Sequence, residues 1–270
     1  MISRFERFSN YIIIIVLTLG VLFPVAWFVL TALSPHVSGR LDLAHLAFSN
    51  FATAWHDGNL ASSMRASMVV TASAVVGQTI LAVLSGYAFG VLGVVGEKVL
   101  FPVILLGMMV STEVIVIPLY YEFQSVNLVN SWLGLILIQL GMGVPFGMYW
   151  MRATFRAMPQ SVIDSAGIDG AGSWQTLWQI LLPMARPAVL TLVLLEFMWT
   201  WNDFFLSLIF LQDPSKQTAT VALSAFQGRH VLQVNLMAAG SLIVSLPVVI
   251  LYILFQREFI SGVMSGAVKE

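Results

Sequence analysis

The chain has 270 residues, 59% of them hydrophobic and 9% charged, with a net charge of −1 at neutral pH. A soluble domain is about 25% charged, so a chain with a mean hydropathy of +0.90 could not cover its own surface in water. Its long unbroken apolar runs exclude a membrane β-barrel, whose strands read as short alternating segments, and its near-neutrality gives no general attraction to nucleic acid. The class is all-α and polytopic in a lipid bilayer; with no cysteine, disulfides and thiolate metal sites are excluded too.

A helix needs about 20 apolar residues to cross hydrocarbon, and six segments qualify. Tyr11–Leu33 follows Arg4 and Arg7. It is far longer than the 7–15 apolar residues, roughly, of a signal peptide, so it reads as a retained span. The loop after it, Ser34–Met64, is polar, with a short helix expected around Phe51–His56. Arg65–Leu92 is the second span; Ala72, Ala74, Gly77, Ser85, Gly86 and Gly90 suit close helix packing. Gly93 to Lys98 lacks the spacing and final Ser/Thr of a phosphate loop, so ATP is not expected to bind there.

The third span, Val99–Tyr121, carries Glu113 beside Ser111 and Thr112, with Pro118 placed to kink it. Trp132–Met151 is the fourth; Trp132 and Trp150 at its ends fit an interfacial aromatic belt. The fifth, Pro187–Leu211, carries Glu196 and Asp203, and the sixth is Leu236–Phe255. Between the last two, Gln212–Val234 is a loop with a turn signal at Asp213-Pro214.

Lys and Arg in the loops orient the spans. With the N-terminus inside, Arg4, Arg7, Lys98, Arg152, Arg156, Arg186, Arg257 and Lys269 are cytoplasmic, against Arg40, Arg65, Lys216 and Arg229 outside. Both termini are therefore expected in the cytoplasm. The four histidines, His36, His45, His56 and His230, fall in outside loops without metal-ligand spacing.

The stretch Pro159–Pro183 is too long for an ordinary turn between spans. Pro159 suits a first helical turn, and Val162, Ile163 and Ala166 recur at helical spacing. Gly170 and Gly172 interrupt the pattern, and Trp174, Leu177, Trp178 and Leu181 then share a second face. Two short helices with an apolar docking surface are expected. Asp164, Ser165, Ala166, Gly167, Ile168, Asp169, Gly170 and Ala171, followed by Leu182-Pro183, resemble the EAA loop of bacterial ABC importer permeases. Asn50-Phe51 through Trp55, Ile117-Pro118-Leu119-Tyr120, Trp201-Asn202-Asp203-Phe204 and the terminal Gly266-Ala267-Val268-Lys269 are similar to the carbohydrate-uptake branch, that of the maltose permease.

The resemblance implies a single transmembrane domain over 1–270 that pairs with a homologous permease. It also implies two ATPase subunits carrying ATP and Mg, and an extracytoplasmic protein that delivers a sugar. This chain would then be no enzyme and hold no cofactor. The loop would be the coupling helix docked into an ATPase, with Asp164, Ser165, Ala166, Asp169, Gly170, Ala171, Leu182 and Pro183 its matching positions. Where the family usually has Glu and Ala, this chain has Asp164 and Ser165; the family's Glu pairs with an ATPase cation, and Asp164 is one methylene shorter. Gly170 fits a positive-φ turn.

A carboxylate in hydrocarbon costs about 2.5–3.5 kcal/mol on insertion scales, so Glu196, Asp203 and Glu113 need water or a partner. With Trp199 and Asn202 they are candidates for the solute path, because sugars take amides and carboxylates on their hydroxyls and aromatic faces on their C–H side. The competing readings are helix–helix hydrogen bonds for the acids and a helix break at Asn202-Asp203. At the level of function, the alternatives are an importer for glycerol phosphate or another polyol, a stand-alone secondary transporter, and an intramembrane enzyme.

Overall fold

The computed structural model describes residues 4–40, 42, 44–227 and 232–267; Arg229, His230, Val268 and Lys269 lie outside the described residues. Among the described residues the regular structure is helical, apart from one isolated bridge between Gln227 and Leu232. The helices are α1 Arg4–Ala32, α2 Ser49–Asp57, α3 Leu60–Tyr87, α4 Glu97–Leu106, α5 Thr112–Ser125, α6 Trp132–Arg156 and α7 Gln160–Ile168. They continue as α8 Ser173–Gln175, α9 Leu182–Met184, α10 Arg186–Asn202, α11 Phe205–Phe210, α12 Ala219–Ala222 and α13 Val234–Ala267.

Among the described residues, four helical stretches are long and apolar enough to cross a membrane as single rods: Asn10–Ala32, Leu60–Leu92, Trp132–Arg156 and Val234–Arg257. Two bent pairs raise the number to as many as six. The third predicted span is one of them. Instead of a continuous helix kinked at Pro118, it is Glu97–Met109 and Thr112–Ser125 meeting at 98°. Val110 and Ser111 are both extended, and Pro118 sits inside α5. The cause is local: Ser111-Thr112-Glu113 is a helix start signal, and the Ser111 hydroxyl bonds the Glu113 carboxylate. The fifth predicted span also ends early, at Asn202, with α11 beginning anew at Phe205.

The chain forms two compact units. The first comprises residues 1–62 and 219–246. Its core gathers Ala32, Ala54, Phe226, Ala238 and Ala239. Buried Asn50 donates through its amide to the carbonyls of Ala32 and Ser34, at 2.9 and 2.7 Å, satisfying groups that the end of α1 leaves open.

The second unit, residues 63–218 and 247–270, holds α4 to α11 and most of α3. Here the small residues of α3 do what their size suggests. A Cβ added at Gly86 would lie 2.5 Å from Met151 Cβ and 2.9 Å from the Arg152 nitrogen, and one at Gly77 would meet Leu140 at 2.6 Å. At that end of α6, Arg152 and Arg156 both pair with Glu97 at 2.5 Å. Both also donate to the Phe89 carbonyl, and the Arg152 guanidinium lies 3.9 Å from the Phe101 ring centroid. Trp132 and Trp150 do more than mark an interface: their indole N–H groups donate to the carbonyls of Lys216 (2.9 Å) and Ala188 (3.0 Å).

Candidate functional site

The Pro159–Pro183 stretch folds as two helical pieces joined by a tight turn. Pro159 is the extended residue before α7 and not part of its first turn. Gly170 has φ +75°. Its N–H donates to the Gly167 carbonyl, and the Ala171 N–H reaches back to Ala166 at 2.9 Å. These two bonds and the left-handed glycine are the Schellman closure of a helix. On the far side, the Gln175 side chain accepts the Gly172 N–H at 3.2 Å. The helix then widens to i→i+5 bonding over Thr176–Leu181; Pro183 has no N–H to give to the turn before it.

The expected shared face of Trp174, Leu177, Trp178 and Leu181 splits in two. Leu177 and Leu181 are buried with Ala185 against Tyr87, Met151, Phe155 and Leu192. Trp174 and Trp178 stay exposed, their ring centroids 5.6 Å apart. The widened helix shifts the phase of the apolar stripe, so one ridge anchors and the other is displayed. Ala166 is buried, whereas Asp164, Ser165, Asp169, Gly170 and Pro183 are exposed, and Ala171 and Leu182 half-buried. Asp164 accepts a bond from Gln160 Nε2 at 3.1 Å. Ile168, at the tip of α7, is 86% exposed. The loop is thus seated on the ends of α3 and α6 and displays acids and large apolar side chains outward.

The intramembrane candidates do not converge on one place. Glu196 is 1% exposed. Its Oε2 accepts from Thr79 Oγ1 at 3.3 Å, and its Oε1 faces Gly147, where an added Cβ would come within 2.9 Å of it. One turn along α6, Gly143 receives the side chain of Gln78, whose Nε2 donates to the Gln139 carbonyl at 2.7 Å. Gln78, Gln139, Gly143 and Gly147 were not singled out by sequence. Their signal was an amide inside an apolar span facing glycines spaced four apart, the small-residue pattern of close helix contacts.

Trp199 is 53% exposed and meets Phe146 edge-on at 4.8 Å. The two rings help wall a cavity of about 510 Å³ that also reaches Gly107, Val110 and Thr112 at the break between α4 and α5. Glu196 is not among its walls. Glu113, at the start of α5, is exposed. Asn202 bonds back to the Met198 carbonyl at 2.7 Å. Asp203 accepts the backbone N–H groups of Leu206 and Ser207 and the Ser207 hydroxyl, as a capping acid does at a helix start.

Several apolar helical spans, with a two-helix loop seated across their ends, define a multi-pass membrane protein. The family described as "Binding-protein-dependent transport system inner membrane component" matches residues 78–259, and the chain belongs to it. It is 34% identical over 211 residues to the probable ABC transporter permease protein PH1036 of Pyrococcus horikoshii, covering 78% of this chain and 76% of that one. It is 28% identical to the diacetylchitobiose uptake permease NgcG of Streptomyces coelicolor (98% and 90% covered) and 28% to the trehalose permease SugB of Mycobacterium tuberculosis (92% of each). The fold is similar to a chain in the crystal structure of a bacterial ABC transporter involved in import of the acidic polysaccharide alginate. The TM-score there is 0.80 at 23% identity, with 96% of this chain and 99% of that one covered.

Proposed function

We propose that this chain is the membrane permease subunit of an ATP-driven importer for a sugar or oligosaccharide delivered by an extracytoplasmic binding protein. The Pro159–Pro183 loop carries the coupling half of this reading. Its buried ridge is anchored in the core formed by the ends of α3 and α6, and its outer surface offers Ile168 and Trp174 beside Asp164 and Asp169. Relatives named for diacetylchitobiose, trehalose, and melibiose, raffinose and stachyose support a carbohydrate over glycerol phosphate or another anion.

In this reading the loop and both termini face the cytoplasm. A homologous permease completes the pore, and two separate ATPases hold ATP and Mg. Movement of an ATPase against the outer ridge is passed through Leu177 and Leu181 to Met151, Phe155 and Tyr87, because a close-packed core transmits displacement instead of absorbing it. The test is reconstitution of the full importer in vesicles with its binding protein. Uptake of a labelled oligosaccharide should require ATP and binding protein together. Uptake without ATP would return the secondary-transporter reading, and stimulation by glycerol phosphate but by no sugar would overturn the carbohydrate assignment.

A further inference from the structure

We infer that the groove running from Arg186 along α10 is a seat for one phospholipid, with an acyl chain in the groove and its phosphate on Arg186. Two cavities carry this. The larger, about 540 Å³, lies between α3, α10 and the second half of α13, walled by side chains such as Met68, Val76, Phe197, Pro247 and Leu251. The smaller, about 380 Å³, lies between the coupling loop and α10, lined by Trp178, Leu182, Pro183, Arg186, Val189 and Leu190. Leu190 lines both, so they follow one another along α10.

The chemistry along this path is ordered. Apolar side chains wall the larger cavity throughout. At the loop end stand one cation and one indole. Arg186 is exposed, and among the described residues no carboxylate lies within ion-pair distance of it. It is also the first residue of α10, where the helix dipole adds positive potential. Trp178 is 42% exposed beside it, and tryptophan settles at the boundary between headgroups and acyl chains. A long apolar trough ending in an unpaired cation and an indole is complementary to an amphiphile with an anionic head. A helix from a second polypeptide would fill the trough but leave Arg186 unmatched unless it brought an acid to that spot. Because Trp178 and Leu182 belong to the coupling loop, the lipid would rest against the element proposed to meet the ATPase.

The purified full importer, exchanged into mild detergent, is titrated with phosphatidylglycerol or phosphatidylcholine and read by native mass spectrometry. Phosphatidylglycerol should bind with an occupancy that saturates at one per copy of this chain. Arg186→Gln should weaken it by about fivefold, the effect of one basic group at a lipid surface, and Arg186→Lys should largely restore it. Leu190→Trp, which fills the trough, should abolish the bound lipid of either type. Equal phosphatidylglycerol binding in wild type, Arg186→Gln and Leu190→Trp would overturn the proposal. So would a photoreactive side chain at position 190, in the otherwise native complex, that crosslinks to the second permease and not to lipid; this readout does not depend on any variant's stability.

Discussion

The hydroxyl of Tyr87, the last residue of α3, donates to the carbonyl of Ser173, the first residue of α8, at 3.0 Å. It is a polar tie between a membrane helix and the second half of the coupling loop, flanked by the Tyr87–Phe155 edge contact at 6.0 Å. Tyr87→Phe keeps the ring and removes the tie. A hydrogen bond of this kind contributes about 0.5–1.5 kcal/mol, so the importer should still assemble, with a thermal midpoint lowered by about 2–4 °C. Substrate-stimulated ATP hydrolysis should fall more than basal hydrolysis does. Identical stimulation in variant and wild type would mean that force does not travel through this bond.

Gly170 separates backbone conformation from space. Nothing lies within 4 Å of a Cβ added there, yet its φ is +75°. A β-branched residue at such a φ costs about 1–3 kcal/mol, whereas Asn tolerates it. Gly170→Val should therefore leave insertion intact and lose the stimulation of ATP hydrolysis by loaded binding protein. Gly170→Asn should retain most of it. The measurement is ATPase activity in vesicles, and equal behaviour of the two variants would count against the turn as the sensitive element.

Gly147 is the opposite case. A Cβ there would fall 2.6 Å from Ala82 Cβ and 2.9 Å from Glu196 Oε1. Gly147→Val should lower stability by about 1–3 kcal/mol, the usual range for overpacking a filled interior. Gly141→Ala, on the same helix with nothing within 4 Å, is the matched control. Thermal unfolding of the two purified complexes decides it; a Gly147→Val importer as stable as the control would refute the packing seen at Glu196.

The chain has no cysteine, so single thiols can map the solute path directly. Trp199→Cys should react with a small polar thiol reagent, because that position walls the cavity at the α4–α5 break. Glu196→Cys should stay protected in the same preparation, because the native side chain is 1% exposed. The Trp199→Cys rate should also change when ATP closes the ATPases. Labelling of both positions at one rate would place Glu196 on the path after all.

Much of this was legible in the residues. Mean apolarity over about 20 positions is a robust signal, and it located the first, second, fourth and sixth segments, which are single helices; the third is bent, and in place of the expected fifth, Pro187–Leu211, Ser173–Met184 and Arg186–Asn202 meet at 79°. The bends were harder to see. Hydropathy does not register that Val110-Ser111 is extended, because that stretch is apolar enough to pass through; the break at Asn202-Asp203 was offered by side-chain chemistry, not by hydropathy. The split of the tryptophan and leucine ridges depends on a widened helix over Thr176–Leu181, and a 3.6-residue period assumes it away. Glu196 was conspicuous as an acid in mid-span, but whether it faces a cavity or a glycine notch is set by α6, a helix remote in sequence. The amide of Gln78 was passed over because a single neutral polar residue hardly moves a hydropathy average.

The fit of Gln78 into Gly143 has an evolutionary consequence. The amide fills the volume that a side chain at 143 would need, and it donates to the same helix at Gln139. Neither position can drift alone. A larger residue at 143 requires a shorter one at 78, and shortening 78 first opens a hole in α6's packing. The two sites are 65 positions apart in the chain, counting from 78 to 143, yet they should be inherited as a pair. Divergent copies of this permease should then carry either the amide with the glycine or neither.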